Sequence, residues 1–163
     1  MIALYFAIAA LVVAVDQLTK YLIVTNVKPQ GSSGFIPHLL SFVYSENRGV
    51  AFGLFQDATW LFIVLTSIVI VVFLFLLIKY YKTGKLFSIA SALIIGGGIG
   101  NLIDRIRLGY VVDFLKFQFI DFPIFNIADC FITVGAVMFA IYVIFLNEKK
   151  EQTDGNDEGR ADG

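Results

Sequence analysis

The chain has 163 residues, a length suited to one domain, and 58% of them are hydrophobic. With a mean hydropathy of +0.83 it lies well above soluble proteins, whose apolar content is roughly 45–50%, so it reads as an integral membrane protein. A net charge of −1 supplies no basic surface for nucleic acid, and a single cysteine, Cys130, with a single histidine, His38, excludes a structural disulfide and any all-protein Cys/His metal cage.

Four windows, residues 2–24, 58–78, 86–106 and 127–146, are apolar enough to cross a bilayer core about 30 Å thick, which takes about 20 helical residues. Pro, Gly or clustered charge separates them. The first window has no basic residue ahead of it and no small-residue cleavage site, so it reads as a retained span and not a cleaved signal sequence. An even number of spans puts both termini on one side, with Lys79, Lys82, Lys85, Lys149, Lys150 and Arg160. The other side carries Lys20, Lys28, Arg48, Arg105, Arg107 and Lys116. Setting aside Lys20 and Arg105, which lie inside apolar windows, the surplus of cations favours cytoplasmic termini. Residues 1–146 are therefore expected to form one membrane-embedded domain. Residues 147–163 are polar and are expected to form a disordered cytoplasmic tail.

Within the first window Asp16 and Lys20 are four apart and share a helix face. They form either a self-neutralising bridge or part of a site. Next, the segment from Phe35 to Phe55 holds two runs with partial period-two alternation, Leu40/Phe42/Tyr44 and Val50/Phe52/Leu54, around a turn-like Glu46-Asn47-Arg48-Gly49. A small extracytoplasmic β-sheet is predicted there, which gives the expected fold class: an all-α membrane protein, a four-transmembrane-helix bundle with a small sheet.

The third window contains Gly96-Gly97-Gly98-Ile99-Gly100-Asn101-Leu102-Ile103-Asp104-Arg105. Its Gly96-x-x-x-Gly100 spacing suits close helix packing in lipid, while Asn101, Asp104 and Arg105 fall at i, i+3 and i+4, on one predicted face. The stretch from Gly109 to Phe125 follows, rich in phenylalanine. Interfacial anchoring and substrate contact both explain it. The fourth window opens on Asn126 and Asp129, three apart on one face, and Cys130 beside them reads as a small packing residue, since no histidine is near to make it a thiolate.

Asp16, Lys20, Asn47, Asn101, Asp104, Arg105, Asp113, Asn126 and Asp129 all fall at the same end of such a bundle. A charged group at bilayer depth is disfavoured by roughly 2.5–3.5 kcal/mol on insertion scales, so these groups are expected to point inward and pair. Asp104 has Arg105 next to it and Asp16 has Lys20 on its face; Asp113 and Asp129 have no local cation. Two close carboxyls that cannot both ionise share one proton, so one can act as base while the other acts as acid. That chemistry is peptide hydrolysis. Intramembrane acids with basic partners also mark proton or ion pathways, so a small transporter is the alternative.

At these residues the chain resembles the lipoprotein signal peptidase (signal peptidase II) family, bacterial aspartyl endopeptidases of the inner membrane. The resemblance runs from Asp16-Gln17-Leu18-Thr19-Lys20 through Asn47-Arg48-Gly49-Val50-Ala51-Phe52-Gly53, Gly100-Asn101-Leu102-Ile103-Asp104-Arg105 and Val112-Asp113-Phe114 to Phe125-Asn126-Ile127-Ala128-Asp129. Each motif is short; five in order at the ends of four spans are specific. The resemblance implies a catalytic pair Asp113 and Asp129, with Asp16, Lys20, Asn47, Asn101, Asp104, Arg105 and Asn126 holding the site or the substrate. It further implies prolipoprotein substrates carrying diacylglycerol, cut just before the lipidated cysteine, at the outer face of the cell membrane. No cofactor, metal or nucleic-acid partner is expected, and the protein is expected to be monomeric, with membrane lipid around it.

Overall fold

The computed structural model describes residues 1–49 and 59–146. Four long helices run α1 Ile2–Leu22, α2 Thr59–Tyr80, α3 Lys85–Leu108 and α4 Ile127–Ile141. Strands β1 Ser32–Ile36 and β2 Leu40–Asn47 lie between α1 and α2, and β3 Val111–Phe117 lies between α3 and α4. All four helices are long and apolar enough to cross a membrane. The first span runs further than predicted. Beyond Leu22 it continues as a π-helical segment, Ile23–Val27, and a 3-10 turn, Lys28–Gln30. Thr25 and Asn26 bond back to the Tyr21 and Leu22 carbonyls, so the polar residues that end the hydropathy signal do not end the helix.

Helix α3 is the hub, packed against each of the other three; 72% of its most apolar window is buried, against 11% to 22% in the others. Its glycines make this possible, Gly96 and Gly100 toward α1, Gly97 toward α4 and Gly98 toward α2. A Cβ on Gly96 would lie 2.7 Å from the Ala9 carbonyl oxygen of α1, and one on Gly97 would lie 2.6 Å from the Ala128 carbonyl oxygen of α4. Gly98 faces Ile70 of α2, and Gly100 faces the Asp16 carboxylate. The Gly96-x-x-x-Gly100 spacing read as close packing is that, against α1, while Gly97 and Gly98 between them admit the α4 backbone and the Ile70 side chain of α2.

The sheet is antiparallel in the order β1-β2-β3. Of the two runs predicted to form it, Leu40/Phe42/Tyr44 lies in β2; Val50/Phe52/Leu54 lies outside the described residues, as does the expected tail. The partners of β2 are β1 and β3, neither of which alternation indicated. Val111 to Leu115 are all buried, and a strand buried on both faces reads as a continuous apolar run. Glu46 and Asn47, predicted as turn, pair with Val112 and Val111 inside β2. The free edge of β3 is covered by Phe125, whose carbonyl accepts from Phe114 and Leu115 at 3.0 and 2.8 Å and whose N–H donates to Leu115 at 3.1 Å. That short pairing carries the chain directly into α4.

Phe114 is buried in the cluster beneath the sheet with Ile23, Val27 and Val112, and Cys130 packs against it as a small apolar residue. Phe117, Phe122 and Phe125 stack on one another at 5.2–5.8 Å between centroids, with Phe119 and Phe122 largely exposed. Substituting Gly97 by leucine is expected to force α3 from α4 and destabilise the fold by at least about 1–3 kcal/mol. A fall in the thermal unfolding midpoint in detergent, larger than for Gly34→Ala, where an added Cβ meets nothing within 4 Å, is the measurable result.

Candidate active site

The site is built where the C-terminal ends of α1 and α3, the start of α4 and the edge of the sheet meet. At its base the buried Lys20 ammonium has three N–H donors and three acceptors. These are Asp16 Oδ2 at 2.9 Å, Asp104 Oδ2 at 2.9 Å and Asn101 Oδ1 at 2.9 Å. Each acid also accepts from backbone. Asp16 Oδ1 takes the Ala128 N–H in the first turn of α4 at 3.0 Å, a position where a helix favours negative charge, and Asp104 Oδ2 takes the Val112 N–H of β3 at 3.1 Å. One ion cluster therefore ties α1, α3, α4 and β3 together. Among the described residues no buried side-chain polar atom lacks a partner.

Above this base, two asparagines relay the order toward Asp113 and Asp129. Asn126 is the N-cap of α4: its side chain accepts the Asp129 N–H at 3.0 Å while the Asp129 carboxylate accepts the Asn126 N–H at 3.1 Å, a reciprocal capping box. With its oxygen so engaged, its amide nitrogen faces the site and donates to Asp113 Oδ1 at 2.7 Å and to Asn101 Oδ1 at 3.0 Å. Asn101 in turn donates to Asp129 Oδ1 at 2.8 Å. Asn47 donates to Asp113 Oδ2 at 2.8 Å. The register explains that contact: Ser45 opposes Asp113 and Asn47 opposes Val111, so Asn47 and Asp113 are diagonal neighbours on one face of the pair.

Asp113 is 2% exposed, whereas Asp129 is half-buried. Burial first, and the nearby Asp129 charge second, push the Asp113 carboxyl up to about 7, although hydrogen bonds from Asn47 and Asn126 work in the opposite direction. Four carboxyl groups, Asp16, Asp104, Asp113 and Asp129, stand here against two cations, Lys20 and Arg105. A proton held by the Asp113/Asp129 pair reduces that excess.

Eight of the nine residues expected at the site converge in this network; Arg105 lies at its margin. Asp104 pairs with Lys20 and not with its sequence neighbour, and Arg105, one turn beyond Asn101, is turned toward α2. Its guanidinium lies over the Phe62 ring of α2 at 5.5 Å and reaches the Asn101 carbonyl at 3.5 Å. Successive helical residues project about 100° apart, which sends the carboxylate toward α1 and the guanidinium toward α2. Arg105 still lies within electrostatic reach of Asp129, Asp113 and Asp104. Gln17, not among the nine, donates to Asp104 Oδ1 at 2.9 Å, to the Gly100 carbonyl at 3.2 Å and to Asp16 Oδ2 at 3.3 Å. Its position between Asp16 and Lys20 was the available signal.

Residues 8–145 match the family model described as Signal peptidase (SPase) II. The chain belongs to the signal peptidase II family. A lipoprotein signal peptidase of Enterococcus faecalis is 44% identical over 156 residues, 96% of each chain. Another, from Caldanaerobacter subterraneus subsp. tengcongensis, is 49% identical over 139 residues, covering 85% of this chain and 94% of that one. A bacterial membrane enzyme solved by the in meso method superposes with a TM-score of 0.82 at 35% identity, covering 93% of this chain and 92% of that one. Membership makes the chain a membrane hydrolase, an aspartyl endopeptidase of the signal peptidase II type. The transporter alternative is accordingly set aside. The polar network also stays at one end of the bundle, and the buried serines deeper in α3, Ser88 and Ser91, bond to backbone carbonyls.

Replacing Lys20 by methionine is expected to destabilise the protein by about 3–5 kcal/mol, because it leaves Asp16 and Asp104 buried without their cation. The same change combined with Asp16→Asn and Asp104→Asn is expected to recover part of that loss. Thermal unfolding in detergent measures both.

Proposed function

We propose that Asp113 and Asp129 are the catalytic pair of a signal peptidase that cuts diacylglyceryl-modified prolipoproteins just before the lipidated cysteine. The observation that carries this reading is the Asn101–Asn126 relay, which holds both carboxyls through hydrogen bonds of 2.7 and 2.8 Å while leaving Asp129 partly open. Neither asparagine titrates, so the carboxyls can exchange a proton without disturbing their support. Asp129, the more accessible, takes a proton from the attacking water; Asp113, the buried partner whose carboxyl is pushed up to about 7, gives its proton to the scissile carbonyl oxygen. The product of attack is a tetrahedral gem-diol, whose collapse requires the reverse proton movement toward the leaving amine.

In this reading Lys20, Asp16 and Asp104 are positioning residues acting through Asn101 and the α4 N-terminus, Asn47 and Asn126 hold Asp113, and Arg105 supplies a cation to the field of the pair. Residues 1–146 act as one membrane-embedded domain, a monomer with cytoplasmic termini and the site at the outer face of the bacterial cell membrane. That placement suits a substrate anchored by its acyl chains. The lipidated cysteine then lies at the depth of the span ends, and the exposed rings of Phe119 and Phe122 lie beside the start of α4, where acyl chains or the interface meet them.

Purified protein is expected to cut a diacylglyceryl-modified prolipoprotein, and Asp113→Asn and Asp129→Asn each to abolish cutting while the thermal unfolding midpoint stays near or above that of the parent chain. Full turnover by either variant contradicts the assignment. The rate is expected to fall as pH rises through about 7, where the pair loses its shared proton. Asn47→Ala removes a hydrogen bond that favours ionised Asp113, so its expected effect is a slower enzyme whose alkaline limb moves to higher pH.

A further inference from the structure

A second concavity opens on the seam between α1 and α3, separate from the Asp113/Asp129 site. It has a volume of about 210 Å³, and Asp113, Asn126 and Asp129 do not line it. Three cations line it, Lys20, Lys28 and Arg107, against one carboxylate, Asp104. Lys20 and Asp104 form its floor and already satisfy each other. The cations left for a ligand are at the rim. Arg107 is exposed and pairs with no carboxylate among the described residues. Lys28 donates to Tyr44 at 3.0 Å and lies 3.7 Å from Glu46, but Glu46 is itself held by Arg48 at 3.0 Å and by the Tyr44 hydroxyl at 2.9 Å. The Tyr44 and Tyr110 hydroxyls, 3.2 Å apart, lie along the same wall. The hydrogen bond with Tyr44, and then burial, keep the Tyr110 hydroxyl protonated, its pKa pushed up to about 12; since Tyr44 gives its proton to Glu46, Tyr110 gives its own to Tyr44, so this wall is polar and uncharged.

What surrounds the opening is apolar and bare. Tyr21 is 64% exposed, Leu108 45% and Val24 37%, in the last third of the first span and at the end of α3, toward the level where headgroups meet acyl chains. A basic pocket between two spans with apolar flanks has the chemistry of a phospholipid headgroup site. We infer that this concavity binds the phosphate of an anionic phospholipid, with Lys28 and Arg107 as its cationic rim and the lipid's acyl chains lying along α1 and α3. Diacylglycerol on a substrate cysteine carries no phosphate, so this lipid is distinct from the substrate. It would sit against Lys20, the residue that braces Asn101.

Native mass spectrometry of the full chain released from mixed micelles of phosphatidylglycerol and phosphatidylcholine tests the inference. Phosphatidylglycerol is expected to be retained in preference to phosphatidylcholine, and Lys28→Gln and Arg107→Gln each to weaken that retention by about five-fold. Lys82→Gln, in the loop between α2 and α3, is expected to leave it unchanged, as is addition of inorganic phosphate. Equal retention of the two lipids, undiminished retention in both rim variants, an equal loss in Lys82→Gln, or displacement of the lipid by inorganic phosphate would each overturn it.

Discussion

Everything at the polar end of this protein depends on the coordination of one ammonium group. In hydrocarbon Lys20 has no water to solvate it, so its three N–H groups must all be met by protein. They are met by one residue of its own helix and two of α3. Because the acids involved also accept N–H groups from α4 and β3, the condition that keeps Lys20 in the membrane fixes where three helices and a strand end relative to one another. The Lys20 cluster is costly to desolvate and is weak evidence for stability as such. Its consequence is geometric: Asn101 is held in one orientation, and through Asn126 so are Asp113 and Asp129.

The division of labour among residue types follows. Carboxylates and the ammonium set the charge, glycines let α3 reach its neighbours, and asparagine amides connect the two. An asparagine can donate and accept at once without changing protonation state. Asn126 uses its oxygen to cap α4 and its nitrogen to hold Asp113, so the start of a helix and the position of an acid become the same structural fact. Gly100 matters for a related reason. A side chain there would meet the Asp16 carboxylate at 2.5 Å, so glycine is required for α1 and α3 to share Lys20.

Much of this was legible in the chain. The four spans followed from apolar length, and the polar end followed from charges in windows where lipid penalises them. Three features were not legible, each for a physical reason. Strand β3 is buried on both faces and shows no alternation, so only the carboxylate in its middle marked it as unusual. The partner of Asp104 is decided by where α1 lies, which adjacency to Arg105 does not report. The first span outlasts its hydropathy because Thr25 and Asn26 satisfy themselves on the preceding turn.

Proton sharing between Asp113 and Asp129 can be observed without substrate. Difference infrared spectra of the purified protein, recorded through neutral pH, report the carbonyl stretch of a protonated carboxyl. The structure predicts one such carboxyl that loses its proton near pH 7, with the signal gone in Asp113→Asn. If that signal is missing below neutral pH, or persists unchanged in Asp113→Asn, the two acids do not share a proton as described.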